Sequence, residues 1–308
     1  MKKLVTSILI LSVSYLAAQE TNYEIRNLDI NTQFSEIGPS FYEGNTLVFA
    51  RPVSNSASRK PKFFNLYQTH ESPQFCSKKK RVTPFSKEIN TVYHESNAVF
   101  TKDYKTIYFT KTNAKKRKPG KRDSEGSVVL KIYKATNIDG KWENIVELPF
   151  NSNSYSVGHP ALSNDDKKLY FTSNMPGSFG ESDIFVVDIL GENKYSAPRN
   201  LGSKVNTRGK EMFPFIDENN NLYFSSNGHK NSKGGLDIYR SSFEDDQHEK
   251  PQNLGAPINS KSDDFGFIKK IGQNSGYFAS NRYGGKGADD IYSYTQNTSG
   301  LSMNMDVD

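Results

Sequence analysis

Three aspartates, Asp183, Asp237 and Asp290, each stand directly before an isoleucine–aromatic pair, in "DIF", "DIY" and "DIY". Two carboxyls on either side of a bond can hydrolyse a glycoside. The spacing argues against that use. The three lie 54 and 53 residues apart, so they recur with a repeat, and a residue carried by every unit describes the unit. A catalytic pair needs a unique, converging geometry. Earlier in the chain the same position holds Asn65 and Lys131. The favoured reading is a carboxylate accepting backbone N–H bonds from its own loop. Asn174, Asn227 and Asn281 read likewise as turn residues.

Other reactive side chains lack the company that chemistry requires. Histidines 70, 94, 159, 229 and 248 show no metal-ligand spacing. His159 falls at a repeat position filled elsewhere by Gly38, Asn97, Phe213 and Phe265, which points to a packing or turn role. Cys76, the only cysteine, sits in "QFCSKK" with no neighbouring base and can form no intramolecular disulfide. There is no Gly-x-Ser-x-Gly. The glycines of "YGGKGADD" (283–290) join two strands rather than open a helix around phosphate. "DENNN" (217–221) and "NDDKK" (164–168) match no calcium loop and suit tight turns. No catalytic residue, metal site or cofactor is therefore expected, and the chain reads as a non-enzyme.

The elements that carry these residues repeat five times. One strand recurs as "TLVFAR" (46–51), "TIYFTK" (106–111), "KLYFTS" (168–173), "NLYFSS" (221–226) and "SGYFAS" (275–280). Each copy follows a short segment ending in a turn, with first strands at 38–42, 97–101, 159–163, 213–217 and 265–269. Each precedes a third strand, "FNLYQT", "LKIYKA", "SDIFVV", "LDIYRS" or "DDIYSY". A fourth element reads "ENIVELPF", "APRNLGSKVN" and "PQNLGAPIN" in later copies. Tyr and Phe supply 37 of the 38 aromatics, a bias that favours strands. The repeated strand is apolar on both faces, as in Leu169, Tyr170 and Phe171, so it needs a sheet packed on each side. Radial stacking of four-stranded sheets supplies that. The expected fold is an all-β, five-bladed β-propeller of four-stranded antiparallel blades over residues 20–294. "YEIRNLDIN" (23–31) resembles the fourth-strand segments, so an N-terminal strand should complete blade five and close the ring. Residues 295–308 read as a polar tail.

The first 20 residues, "MKKLVTSILILSVSYLAAQE", have a basic start, a short apolar run and a small-residue cleavage zone, as a secretory signal peptide over 1–19 does. Export to a periplasmic or outer-membrane-associated location is expected, with no transmembrane segment after cleavage. Loss of Lys2 and Lys3 would lower the formal charge from +6 to +4.

The unit "HPALSNDDKKLYFTSNMPGSFGESDIF" resembles the PD40 type of WD40-like propeller repeat, related to that of TolB. The resemblance spans residues 23–294. It is closest in flavour to envelope proteins of Bacteroidota in which such propellers accompany an OmpA-like peptidoglycan-binding domain, some serving type IX secretion and gliding. It implies a propeller in a cell-envelope setting. This sequence has no TPR segment, OmpA-like domain or lipobox cysteine, so peptidoglycan anchoring is not implied for it.

The blades differ most in their loops. Between second and third strands, blade one inserts "RPVSNSASRKPKF" and blade two "KTNAKKRKPGKRDSEGSV". These connections share a propeller face with the blade-to-blade crossovers. That face would collect Arg51, Arg59, Lys60 and Lys62 from blade one. Blade two would add Lys115, Lys116, Arg117, Lys118, Lys121 and Arg122. Later blades would add Arg208, Lys210, Lys230, Lys233, Arg282 and Lys286. A one-sided basic surface attracts anionic partners through summed, salt-sensitive fields. The expected role is a monomeric, non-catalytic interaction scaffold binding an envelope protein or an anionic glycan, and no nucleic acid. The alternative is a carbohydrate-binding or glycan-processing propeller. It would need acids converging at the ring centre, where the five first-strand windows hold only Asp217.

Overall fold

The computed structural model describes residues 22–53, 63–70, 81–112, 128–245 and 247–297. These form a five-bladed β-propeller of mostly four-stranded antiparallel sheets. The inner strands are Ile37–Tyr42, Glu95–Phe100, Val157–Leu162, Glu211–Ile216 and Asp264–Lys269. Each pairs with a second strand, and that with a third. Blade five is completed by Asn22–Asn27, antiparallel to Asp290–Asn297, so the two ends of the described chain close the ring. The N-terminal strand stops four residues short of the expected boundary at 31. The final strand runs three residues past 294.

The core consists of five layers, one between each pair of neighbouring blades. The repeated second strand feeds two layers at once, as its double-sided apolar pattern requires. Leu169 and Phe171 face blade two while Tyr170 faces blade four. The central phenylalanines Phe49, Phe109, Phe171, Phe224 and Phe278 are almost wholly buried, and each contributes about 2–3 kcal/mol by leaving water. Outer strands are shorter than expected. In blades one and four, and along the main sheet of blade three next to Arg199–Asn200, they are two-residue pairings.

Much of the expected fourth element instead forms the crossover, where an asparagine takes over strand pairing. Asn31, Asn90, Asn151, Asn206 and Asn259 each use Oδ1 to accept from a third-strand N–H and Nδ2 to donate to the same residue's carbonyl. The residues gripped are Ile291, Leu66, Ile132, Ile184 and Ile238. One amide thus copies the two-bond exchange of an antiparallel pair.

Candidate functional site

The three repeated aspartates are loop anchors. Asp183 accepts from the N–H of Phe179 (2.7 Å) and Gly180 (3.2 Å). Asp237 accepts from Lys233 (2.5 Å) and Gly234 (3.3 Å), and Asp290 from Lys286 and from Gly287 (3.0 Å). A further bond comes from an outer-strand asparagine: Asn200, Asn253 or Asn27. Those asparagines in turn accept from the crossover asparagines Asn206, Asn259 and Asn31. The network ties second-to-third loop, third strand, outer strand and crossover into one corner. The loop comes so close to the crossover that a Cβ at Gly287 would overlap the Phe34 carbonyl, and one at Gly180 the Gly209 carbonyl.

A second set of carboxylates lies just upstream of the windows searched for acids. Glu36 immediately precedes one inner strand, Glu95, Glu211 and Asp264 begin three others, and all four are fully buried. Thr32, Thr91 and Thr207 each cap the glutamate four residues on with both N–H and hydroxyl, and the N–H of Ser260 caps Asp264. Burial pushes Glu36, Glu95 and Glu211 upward, and the threonine bonds pull them back only in part. The legible signal was Asn-Thr/Ser with Glu or Asp four positions after the Thr or Ser, as in "NTQFSE", "NTVYHE", "NTRGKE" and "NSKSDD". Blade three has "NSNSYSV" and no acid. All of these groups are consumed in holding crossovers.

The expected basic face divides. Arg59, Lys60, Lys62, Lys115, Lys116, Arg117, Lys118, Lys121 and Arg122 lie outside the described residues. Arg51 and Arg282 are not surface groups. The Arg51 Nε is 3.7 Å from Glu36, and its guanidinium lies over Tyr67 and Phe49. Arg282 is bound by Asp264 and the Pro257 and Ile258 carbonyls, between the rings of Phe278 and Tyr292. Both fill the seam that a buried carboxylate creates. Arg208, Lys210, Lys230, Lys233 and Lys286 are exposed. Lys210 pairs with Glu181 at 3.3 Å, and Lys286 reaches the Leu28 carbonyl and Asp29. The expected face also shows apolar groups that charge counting missed: Val92, Phe179 and the fully exposed Tyr283.

The ring's axis holds a different arrangement. Every inner strand carries a bulge around one left-handed residue: Gly38, Asn97, His159, Phe213 and Gly266, with φ of 59, 45, 52, 54 and 65°. His159 therefore does occupy the repeat position expected of it, with Gly266 rather than Phe265 as the blade-five equivalent. Its N–H donates to Thr110 Oγ1 (2.8 Å), and its ring stacks on Phe213 at 4.0 Å and 14°. Burial pushes the imidazole down to about 3. From these residues a cavity of about 270 Å³ runs to the inner-to-second turns, opening opposite the crossovers. The acids lining it are engaged. Asp217 accepts from Asn219, Asn221 and Tyr223, Asp166 from the Lys102 N–H, and Glu218 pairs with Lys269 at 2.8 Å. Among the described residues no three His, Cys, Asp or Glu groups gather as a metal site, and no helix is long and apolar enough to cross a membrane.

No protein-family model and no curated relative matches the sequence. Solved structures do resemble the fold. An α-L-arabinofuranosidase from Lactobacillus brevis is 12% identical, with a TM-score of 0.51 over 86% of this chain and 92% of that one. A thermostable family-43 glycoside hydrolase is 13% identical, with a TM-score of 0.49 over 85% and 89%. A prolyl endopeptidase structure is 15% identical, with a TM-score of 0.39 over 79% of this chain and 30% of that one. The chain thus spans under a third of the prolyl endopeptidase. At such identities the likeness concerns the propeller fold alone.

Proposed function

We propose that this chain is an exported, non-catalytic interaction scaffold of the cell envelope, binding a partner with its crossover face. The observation that carries the reading is how the buried carboxylates are used. Asp183, Asp237, Asp290, Glu36, Glu95, Glu211 and Asp264 all hold loops or crossovers, which leaves a rigid frame rather than a pair of free acids. The PD40-like repeat and the signal-like N-terminus supply the envelope setting, with an accessory role beside outer-membrane or type IX secretion assemblies. On the frame stand Arg208, Lys230 and Lys233 with the exposed rings of Phe179 and Tyr283. Cations mixed with aromatic rings suit an acidic protein surface or an anionic glycan.

The test is crosslinking and pull-down from the native envelope with the full chain, at low and moderate salt, beside Arg208→Glu/Lys230→Glu/Lys233→Glu. A discrete envelope protein or acidic polysaccharide should be recovered, less so as salt rises, and lost in the triple variant. Recovery unchanged by salt and by charge reversal would remove the face from the reading. Hydrolysis of an aryl arabinofuranoside by the purified chain would overturn its non-catalytic part.

A further inference from the structure

The layer between blades four and five changes character along its strands. Near the crossovers it is apolar, with Ile238 and Ile258 fully buried. Side chains alternate between the faces of a strand, so Arg240 shares the face of Ile238 and Gln296 that of Tyr294. Both stand toward the strand ends away from the crossovers, where they line a cleft of about 360 Å³. The two ends of the described chain meet there, since Tyr23 lies in the closing strand and Tyr294 in its partner. Nothing in the lining belongs to the scaffold surface.

The charges of this cleft are unbalanced. Three arginines of the described chain are half-buried: Arg51, Arg240 and Arg282. Arg51 and Arg282 each lie on a fully buried carboxylate, Glu36 and Asp264. Arg240 makes no ion pair among the described residues, and no Asp or Glu lines the cleft. The other lining cation, Lys269, is held by Glu218 at 2.8 Å. Asp217 stands behind Tyr223, accepting from that hydroxyl at 3.4 Å and from the N–H of Asn219 and Asn221. Burial pushes the Tyr23 and Tyr223 hydroxyls up, and the Arg240 charge beside them pulls them part of the way back. A guanidinium drawn partly out of water among neutral groups lacks its usual compensation. Its planar fork matches a carboxylate through two parallel bonds.

The remaining wall is mostly amide. The side chains of Gln252, Asn274 and Gln296 line the cleft and make no hydrogen bond among the described residues. Each offers a donor and an acceptor, which suits hydroxyl groups, themselves both donor and acceptor. The volume lies at the low end of the range of about 300–1,000 Å³ for small-molecule sites, enough for one sugar ring.

We propose that this cleft binds a single-ring sugar acid, its carboxylate on the Arg240 guanidinium and its hydroxyls on the amides of Gln252, Asn274 and Gln296. The competing occupant is a bare inorganic or carboxylate anion, which would use the arginine and ignore the amides.

The test titrates the full chain with glucuronate, with glucose, which keeps the ring without the charge, and with acetate, which keeps the charge without the ring. Calorimetry and the ring signals of Tyr23 report binding. Glucuronate should saturate one site, move the Tyr23 signals and bind about tenfold or more tightly than either probe, the equivalent of one charge-assisted hydrogen bond. Arg240→Gln should bring glucuronate down to the level of glucose, whereas Arg208→Glu/Lys230→Glu/Lys233→Glu should leave it unchanged. Should Arg240→Gln fail to fold, the three-probe ranking and the Tyr23 signals of the wild type decide. Acetate binding as tightly as glucuronate would reduce the cleft to an anion site, and equal affinity for glucose would remove the charge from the recognition. No saturation up to about 10 mM, unmoved Tyr23 signals, or binding lost in the triple variant would each overturn the assignment.

Discussion

Blades three to five fasten their second-to-third loops with a buried aspartate, whereas blades one and two do not. The crossover asparagine is common to all five, gripping Leu66 and Ile132 as it grips Ile184, Ile238 and Ile291. What changes is its neighbour. In blade two Lys131, itself buried, pairs with half-exposed Glu147 at 2.5 Å. In blade one, Asn65, with its amide nitrogen toward Glu95, donates to Glu95 Oε2 at 3.0 Å. The asparagine grip therefore belongs to the ring, since it is present both where the outer strand is a two-residue pairing, as in blades one, three and four, and where it is longer, as in blades two and five. The aspartate belongs to a short loop drawn down onto the crossover, and it is absent where the loop sequence is long.

The largest test of that difference is Asp237→Ala. It removes the carboxylate that accepts from the Lys233 and Gly234 N–H groups and from the Asn253 amide, which keeps only its bond to the Asn231 carbonyl, and because Asp237 is itself buried it should lower unfolding free energy by about 2–4 kcal/mol. Lys131→Ala should cost less, because the partner it leaves, Glu147, still reaches water. Chemical denaturation of the two variants measures both. Equal losses would mean that aspartate and lysine are interchangeable plugs and that the blades do not divide as drawn.

Acid should separate blades three and four from blade two. Burial pushes His159, in blade three, down to about 3 and His248, in blade four, down to about 4. A histidine depressed in the folded state leaves stability intact above its unfolded value, near 6.5, and withdraws it as pH falls toward the folded value. For His159 alone the loss at pH 5 is about 2 kcal/mol, at 1.36 kcal/mol per pH unit. Hydrogen exchange should show blades three and four as protected as blade two at pH 7, and opening before it at pH 5. Uniform loosening around the ring would show that the histidines do not govern acid stability.

How much of this was readable beforehand follows from which pattern each feature leaves. Leu169, Tyr170 and Phe171 announce a strand buried on both sides, and five such strands at a steady period leave little choice but a closed ring. The aspartate anchors were legible too, because a carboxylate recurring with the period signals a local bond. The glutamates escaped because they precede the strand windows by two residues, and their meaning depends on a threonine four positions earlier. Arg51 and Arg282 misled for a related reason. They sit in polar loop sequence like surface cations, and only the three-dimensional seam shows that each neutralises a buried acid. The axial cavity left only a shared repeat position, since its floor mixes glycine, asparagine, histidine and phenylalanine whose common property is a backbone angle.

The smallest effect separates those inner-strand glutamates from one another. Glu95 has a cation at 3.3 Å, Lys111, whereas Glu211 has only hydroxyls and an N–H from Thr207 and Ser226. Both are raised by burial above the ordinary carboxylate value. A raised carboxyl binds its proton more tightly when folded, so it withdraws stability as pH climbs from the ordinary value of 4.5 through the folded one, and below 4.5 it withdraws none. Glu211→Gln removes that cost while keeping an acceptor for Thr207, and should change stability at pH 7 by less than about 1 kcal/mol, in either direction. Glu95→Gln leaves the Lys111 ammonium, only 17% exposed, without its counter-ion and should be the more damaging of the two. Denaturant melts at pH 4 and pH 7 read the difference directly. If Glu211→Gln proved as harmful as Glu95→Gln, the negative charge itself would be needed at every crossover, and the cations beside it would be incidental.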